Sequence, residues 1–286
     1  MYTTGRYYLV FLYRLLVVVL VYMLCRYLFF LFNKGLFQEI SFRDGLLVMK
    51  GGLKFDIAAL FYFNGLFIFL MLFPVRQRTS VLYQRVLLWI FMLLNGLALL
   101  LNCIDIIYYR FTLRRSTRAV FGEFEHEINK SKLLFRFLVD YWYMIIVFVL
   151  LLGLMYWMYS RLPIKPIKDK SRYFYLHAVA MLLLTATLAV GGIRGDFKHS
   201  TRPITISNAG EYVRRSNEVY LVLNTPFCMV RTWNVSRLKE VNFYSDRELN
   251  QVYTPIHIPK KDTTAFKKQN VVIILLESFS KEVTGF

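Results

Sequence analysis

Glu277 closes an unbroken apolar run, Asn270-Val-Val-Ile-Ile-Leu-Leu-Glu-Ser-Phe279, and is the residue in this chain best placed to do chemistry. A short all-apolar run rich in β-branched residues suits a strand buried on both faces, as in a parallel sheet flanked by helices. The end of such a strand is where α/β enzymes place functional groups. A glutamate at a strand-to-helix turn also complements the positive N-terminus of the next helix, so both roles are open on these residues alone. Ser278, Ser280 and Thr284 beyond it read as turn or cap residues. His257, in Thr254-Pro-Ile-His-Ile-Pro259, reads as a structural or solvated side chain in an extended linker.

A second candidate lies at Tyr108-Tyr-Arg-Phe-Thr-Leu-Arg-Arg-Ser-Thr-Arg118. Arg110, Arg114, Arg115 and Arg118 could cradle a lipid phosphate, because guanidinium forks grip phosphate oxygens while Tyr and Phe sit at headgroup depth. The same pattern suits an interfacial amphipathic helix with a solvated charged face. Glu123, Glu125, His126 and Glu127 follow, and consecutive carboxylates at a loop read as solvated rather than as a metal site. Asp105, Asp140 and His177 lie near the ends of apolar stretches, where they are expected to bond neighbouring helices or headgroup water rather than to carry a transported ion. Cys25, Cys103 and Cys228 have neither disulfide nor metal-ligand spacing and read as packing residues.

The elements that hold these groups are set by composition. The chain has 286 residues, 57% of them hydrophobic and only 19% charged, which excludes one ordinary soluble domain. Its net charge of +18 falls largely in loops between apolar stretches, pointing to anionic headgroups rather than nucleic acid. Five segments approach the roughly 20 apolar residues that cross a bilayer: 8–32, 55–73, 86–109, 137–159 and 173–193. No internal repeat relates them, which weighs against a duplicated transporter. The first span is too long for a cleaved signal and is expected to remain as an anchor. Arg14 and Arg26 interrupt it about 18 Å apart, where each is expected to snorkel to its own interface.

Orientation follows from the loops. Arg76, Arg78 and Arg85 in the second connection, and Arg161, Lys165, Lys168, Lys170 and Arg172 in the fourth, mark these as cytoplasmic. The N-terminus is then inside and everything after residue 193 outside, although the four arginines of the third connection would also stand outside. Residues 194–269 are expected to be a soluble, extended connector, with amphipathic pieces at 208–225 and 236–249 that would lie on a partner surface. Residues 270–286 would open an α/β domain but are too few to bury a core, so that domain is expected to continue in a longer chain. The fold expected is therefore a polytopic α-helical membrane protein of five transmembrane helices (1–193), an extracytoplasmic linker (194–269) and the first strand of an α/β sulfatase-like domain (270–286).

This combination resembles the lipoteichoic acid synthase family, membrane-anchored members of the sulfatase and alkaline phosphatase superfamily. The resemblance rests on Val271-Val-Ile-Ile-Leu-Leu-Glu-Ser-Phe279 and, as in members from the Bacteroidetes, on Asp105-Ile-Ile-Tyr-Tyr-Arg-Phe-Thr112, Arg202-Pro-Ile-Thr205 and Asn224-Thr-Pro-Phe227. It implies that Glu277 is a ligand of a divalent metal, usually manganese, beside a downstream threonine nucleophile. Neither that threonine nor the remaining Asp and His ligands are in this sequence, and Thr284 is too near Glu277 to be the nucleophile. The activity implied is transfer of a phosphoglycerol or phosphoethanolamine group from a phospholipid to a glycan or lipid acceptor, outside the cytoplasmic membrane of a bacterium. Hydrolysis of a sulfuric or phosphoric ester, as in sulfatases, and a non-catalytic membrane module or transporter-like protein are the competing readings.

Overall fold

The structure, a computed structural model, describes residues 4–37, 40–125, 130–166, 173–197, 202–233 and 243–253, with isolated positions 268, 270, 272 and 273. It divides into two compact units, Met1–Val235 and Ser236–Phe286. Among the described residues all regular structure is helical. The expected strand at 270–276 and its Glu277 lie outside the described residues, apart from positions 270, 272 and 273.

Five helices are long and apolar enough to cross a membrane, the arrangement of a multi-pass membrane protein. They are α1 (Thr4–Phe32), α2 (Phe42–Leu72), α3 (Val81–Thr112), α6 (Trp142–Arg161) and α7 (Phe174–Arg194), with short α4 (Ala119–Glu125) and α5 (Lys130–Asp140) between α3 and α6. Helices α1 to α3, at 29, 31 and 32 residues, would run about 44–48 Å. That exceeds a hydrocarbon core of about 30 Å, so their ends project into the headgroup region. Trp89, Leu93, Leu150 and Leu183 face outward, as suits side chains whose solvent is lipid.

Local signals set the helix starts. Ser41 Oγ accepts from the Arg43 amide and opens α2, while Ser80 Oγ accepts from the Tyr83 amide and opens α3. Span 2 thus begins at residue 42, not 55, because Asp44, Lys50, Lys54 and three glycines lower the hydropathy without breaking the helix. Phe137, expected in the fourth span, belongs to α5, and α6 starts after a turn at Tyr141. Gly195 ends α7 at φ 73°, where an added Cβ would fall 2.5 Å from Ile204.

Helices α1, α2 and α3 pack on one another, α6 covers α1 and α3, and α7 lies on α2. Phe67, Phe91 and Tyr159 meet in the interior with ring centroids 4.8–6.5 Å apart. One turn away, Asn64 and Asn95 exchange both amide hydrogen bonds, at 3.0 and 2.7 Å, fully buried between α2 and α3. Asn95 Nδ2 also donates to the Phe91 carbonyl at 2.9 Å, so Asn64→Leu strands the Asn95 oxygen alone and is expected to lower stability by about 0.6–1.7 kcal/mol. Asn64→Leu/Asn95→Leu should cost no more than the single change in detergent melting, and equal additive losses would exclude the pairing.

Residues 202–233 are not an extended connector. They fold onto one end of the bundle as 3₁₀ turns at Ile206–Tyr212 and Ser216–Glu218, then α8 (Val219–Val222) and α9 (Thr225–Thr232). Leu221, Val222, Leu223, Phe227 and Cys228 are buried, with Phe227 edge-on to Phe55 at 4.9 Å and Tyr220 against Tyr109 at 5.5 Å. The surface expected to receive the 208–225 piece is thus the chain's own helices α1, α2 and α3. Burying each large apolar side chain contributes about 1.5–3 kcal/mol over leaving it in water, which holds the segment down. In the second unit, α10 (Asp246–Val252) is opened by a reciprocal capping box between Ser245 and Glu248. The Ser245 hydrogen bonds hold the Glu248 carboxyl below the usual carboxylate range.

Candidate functional site

Where 202–233 meets the bundle, two arginine–aspartate pairs are enclosed side by side. Arg26, in the last third of α1, grips Asp56 of α2 through both terminal nitrogens, with Nη2 to Oδ1 at 2.7 Å. Its remaining donors reach backbone carbonyls, Nε to Leu221 at 2.9 Å and Nη2 to Val222 and Gly52 at 3.1 Å. Gly52 permits this approach, since a Cβ there would collide with the guanidinium carbon. Asn224 donates to Asp56 Oδ1 at 2.6 Å and caps α9 by accepting from the Phe227 amide at 2.8 Å.

The second pair begins on α3. Asp105 Oδ2 accepts from Arg115 Nη1 at 3.0 Å and from Thr225 Oγ1 at 2.7 Å. Its Oδ1 accepts from the Ser116 amide, at 2.8 Å, and hydroxyl. The chain can return to Asp105 because α3 ends at Leu113 with φ 53°, a left-handed residue that reverses direction. Arg115 donates from Nε to the Tyr220 carbonyl at 2.8 Å and lies 3.5 Å above the Phe29 ring. Asn102 accepts from the Thr225 amide at 3.4 Å. Both aspartates are fully buried.

Adjacent residues Asn224 and Thr225 thus bond carboxylates on two different helices. Each carboxylate oxygen already receives protein donors, mostly two. A hard divalent cation, which wants six or more oxygens, does not fit where guanidinium groups fill the lone pairs. The same saturation leaves neither of these two aspartates open to a coupled ion. The arrangement acts as a double latch that fixes 202–233 to α1, α2 and α3. Burial pushes the neighbouring Cys228 thiol up to about 12, with Arg115 pulling the other way, so this cysteine is inert as well as covered.

The expected site residues fall as follows. Glu277, Ser278, Ser280, Thr284, His257, His126 and Glu127 lie outside the described residues. Among the described residues no group of three or more His, Cys, Asp or Glu could hold a metal ion. The four arginines of the third connection do not converge on one anion. Arg115 is turned inward to Asp105, Arg110 donates to the Phe32 carbonyl at 2.7 Å, and Arg118 donates to the Trp233 carbonyl with its guanidinium over the Trp233 ring. Arg114 is exposed. Asp140 is exposed and pairs with Arg136 at 3.6 Å, while His177 Nδ1 contacts the Tyr173 carbonyl at 2.8 Å. The cysteines are all buried and free, as packing residues should be.

Arg14 and Arg26 correct the snorkelling expectation, for both are buried inside the bundle. Arg26 has Asp56, and Arg14 stacks 3.8 Å over Tyr159 while donating to Gln84 Oε1 at 2.9 Å. An arginine inside one apolar span and an aspartate at the edge of the next is a signal for pairing that spacing within either span does not reveal. Asn102 carried no signal of its own, and Asn224 stood in a motif of the resemblance without its role as a donor to Asp56 being visible.

No family model, no curated protein and no solved structure matches this chain.

Proposed function

We propose that this chain is the membrane-embedded portion of a metal-dependent phosphotransferase that works on phospholipid headgroups at the outer face of a bacterial cytoplasmic membrane. The observation that carries this reading is the hydrogen bond from Thr225 Oγ1 to Asp105 Oδ2 at 2.7 Å. It joins two segments on which the resemblance rests, Asp105 to Thr112 and Asn224 to Phe227, in one buried cluster. In the third, Arg202 to Thr205, Ile204 is buried beside Gly195 at the end of α7. Motifs far apart in sequence that meet in space are the pattern of a built unit.

In this reading the latched end of the bundle is the extracytoplasmic end, and the N-terminus is cytoplasmic. The five spans keep the enzyme where its lipid donor lies, and the latch fixes the point from which the chain leaves toward Glu277. Glu277 would hold manganese or a similar hard cation through its carboxylate. When bound, such a cation lowers the pKa of a nucleophile and stabilises charge on phosphoryl oxygens.

The test is a transfer assay in membranes on the protein expressed from its complete gene, with labelled phosphatidylglycerol and phosphatidylethanolamine as donors and manganese supplied. Glu277→Ala should lose about two to three orders of magnitude of headgroup transfer, the scale of removing one preorganised electrostatic group, with membrane insertion unchanged. Retained transfer would sink the metal assignment. Release of the headgroup to water, with no acceptor modified, would make the reaction ester hydrolysis instead.

A further inference from the structure

Arg78 lies in the 3₁₀ turn Arg76–Thr79 between α2 and α3, at the opposite end of α2 from the latch. It is among the largest fully buried side chains, with 1% of its surface exposed. Three rings enclose its guanidinium carbon, Tyr7 at 4.5 Å, Phe174 at 4.7 Å and Tyr8 at 5.5 Å. Its one side-chain hydrogen bond runs from Nη2 to Tyr8 Oη at 3.2 Å, while Nε and Nη1 are buried with no acceptor. No ion pair among the described residues includes it.

The oxygens around it are taken. Gln84 donates to the Arg78 carbonyl at 2.7 Å and gives its Oε1 to Arg14, while Tyr7 and Tyr83 donate to the Met71 and Leu70 carbonyls. Ring faces attract a guanidinium but do not accept its in-plane N–H groups, so two of its charge-bearing nitrogens are left without a protein acceptor. This contrasts with Arg26, in which each of the three side-chain nitrogens has an acceptor. A positive charge with two such nitrogens suits an anion that offers oxygens.

The turn's position selects which one. A turn between two membrane-crossing helices stands at headgroup depth, where phosphate is the abundant oxyanion, and arginine is the side chain best suited to it. Tyr8, one of the three rings, is only half-buried, and Gln77 beside Arg78 is exposed, so the site lies next to the surface of the bundle. We propose that Arg78, behind Tyr8 and Phe174, is a phosphate-binding site, filled by an anionic phospholipid headgroup or by free phosphate. The inference is independent of the transferase reading.

The experiment uses the full chain in phosphatidylcholine nanodiscs, with phosphatidylglycerol or inorganic phosphate added. Wild type should gain thermal stability with phosphatidylglycerol and retain one such lipid in native mass spectrometry. Arg78→Gln should weaken that retention at least 10-fold, and Arg85→Gln, an exposed arginine nearby, should leave it unchanged. A response to phosphatidylglycerol alone identifies the lipid as the source, and a matching response to inorganic phosphate identifies the free oxyanion. If Arg78→Gln does not fold, the wild-type stability and retention still decide. No response of wild type to either probe overturns the proposal, and so does an equal loss in Arg85→Gln.

Discussion

Asp105→Ala is expected to unlatch residues 220–232 and to cost about 3–5 kcal/mol, the range for stranding one partner of a buried ion pair. The change leaves the Arg115 guanidinium between Phe29 and the Tyr220 carbonyl with no counter-charge, and removes the acceptor of Thr225 and Ser116. Of a total stability of about 5–15 kcal/mol, that is a large share. Global melting in detergent measures the cost, and Cys228 reports the unlatching. Its thiol is covered and its pKa raised by burial, so wild type should resist maleimide. In the variant, exposure returns the thiol toward its ordinary pKa, and labelling at pH 8 should rise at least tenfold by peptide mapping. Unchanged labelling together with unchanged melting would exclude the latch.

Arg26→Leu should have a similar cost of about 3–5 kcal/mol, for a different reason. Here the stranded group is the Asp56 carboxylate, left with Asn224 as its donor, while the carbonyls of Leu221, Val222 and Gly52 lose theirs. Asp56→Leu alone strands Arg26 in turn. Arg26→Leu/Asp56→Leu buries no charge, so the double variant should be more stable than the sum of the single losses, with a coupling of about 0.5–3 kcal/mol in a double-mutant cycle. Additive losses would show that the two side chains act independently. The same cycle on Asp105 and Arg115 should give a coupling of the same sign.

The spans were legible because a run of about 20 apolar residues has little use outside a bilayer. Their interior polar architecture was not, since a charge in a span reads alike whether it turns outward or toward another helix. Arg14 and Arg26 are spaced along α1 as snorkelling would require, yet Tyr159 and Asp56 draw them inward. Residues 42–54 were lost from the second span because their glycines and charges lower hydropathy, although two of those glycines exist for packing. A Cβ at Gly51 would strike Tyr212, as one at Gly52 would strike Arg26. Residues 202–233 looked like a linker because four prolines punctuate the stretch from 194 to 269 and its mean hydropathy falls. Pro226 in fact sits in the first turn of α9, where a missing amide hydrogen costs nothing. Asp105 was expected to bond a neighbouring helix, and its partners Ser116 and Thr225 come from the following loop and from α9.

The latch also has an order in time. Each charged pair is closed by residues made close together, Asp56 thirty positions after Arg26 and Arg115 ten after Asp105. Everything that arrives late is neutral: three carbonyls at 220–222, the Asn224 amide and the Thr225 hydroxyl. At about 5–20 residues per second, the ribosome delivers these roughly 10–40 s after Arg26. The charges of the latch are therefore paired before the segment that covers them is made, and wait only for uncharged groups to seal them.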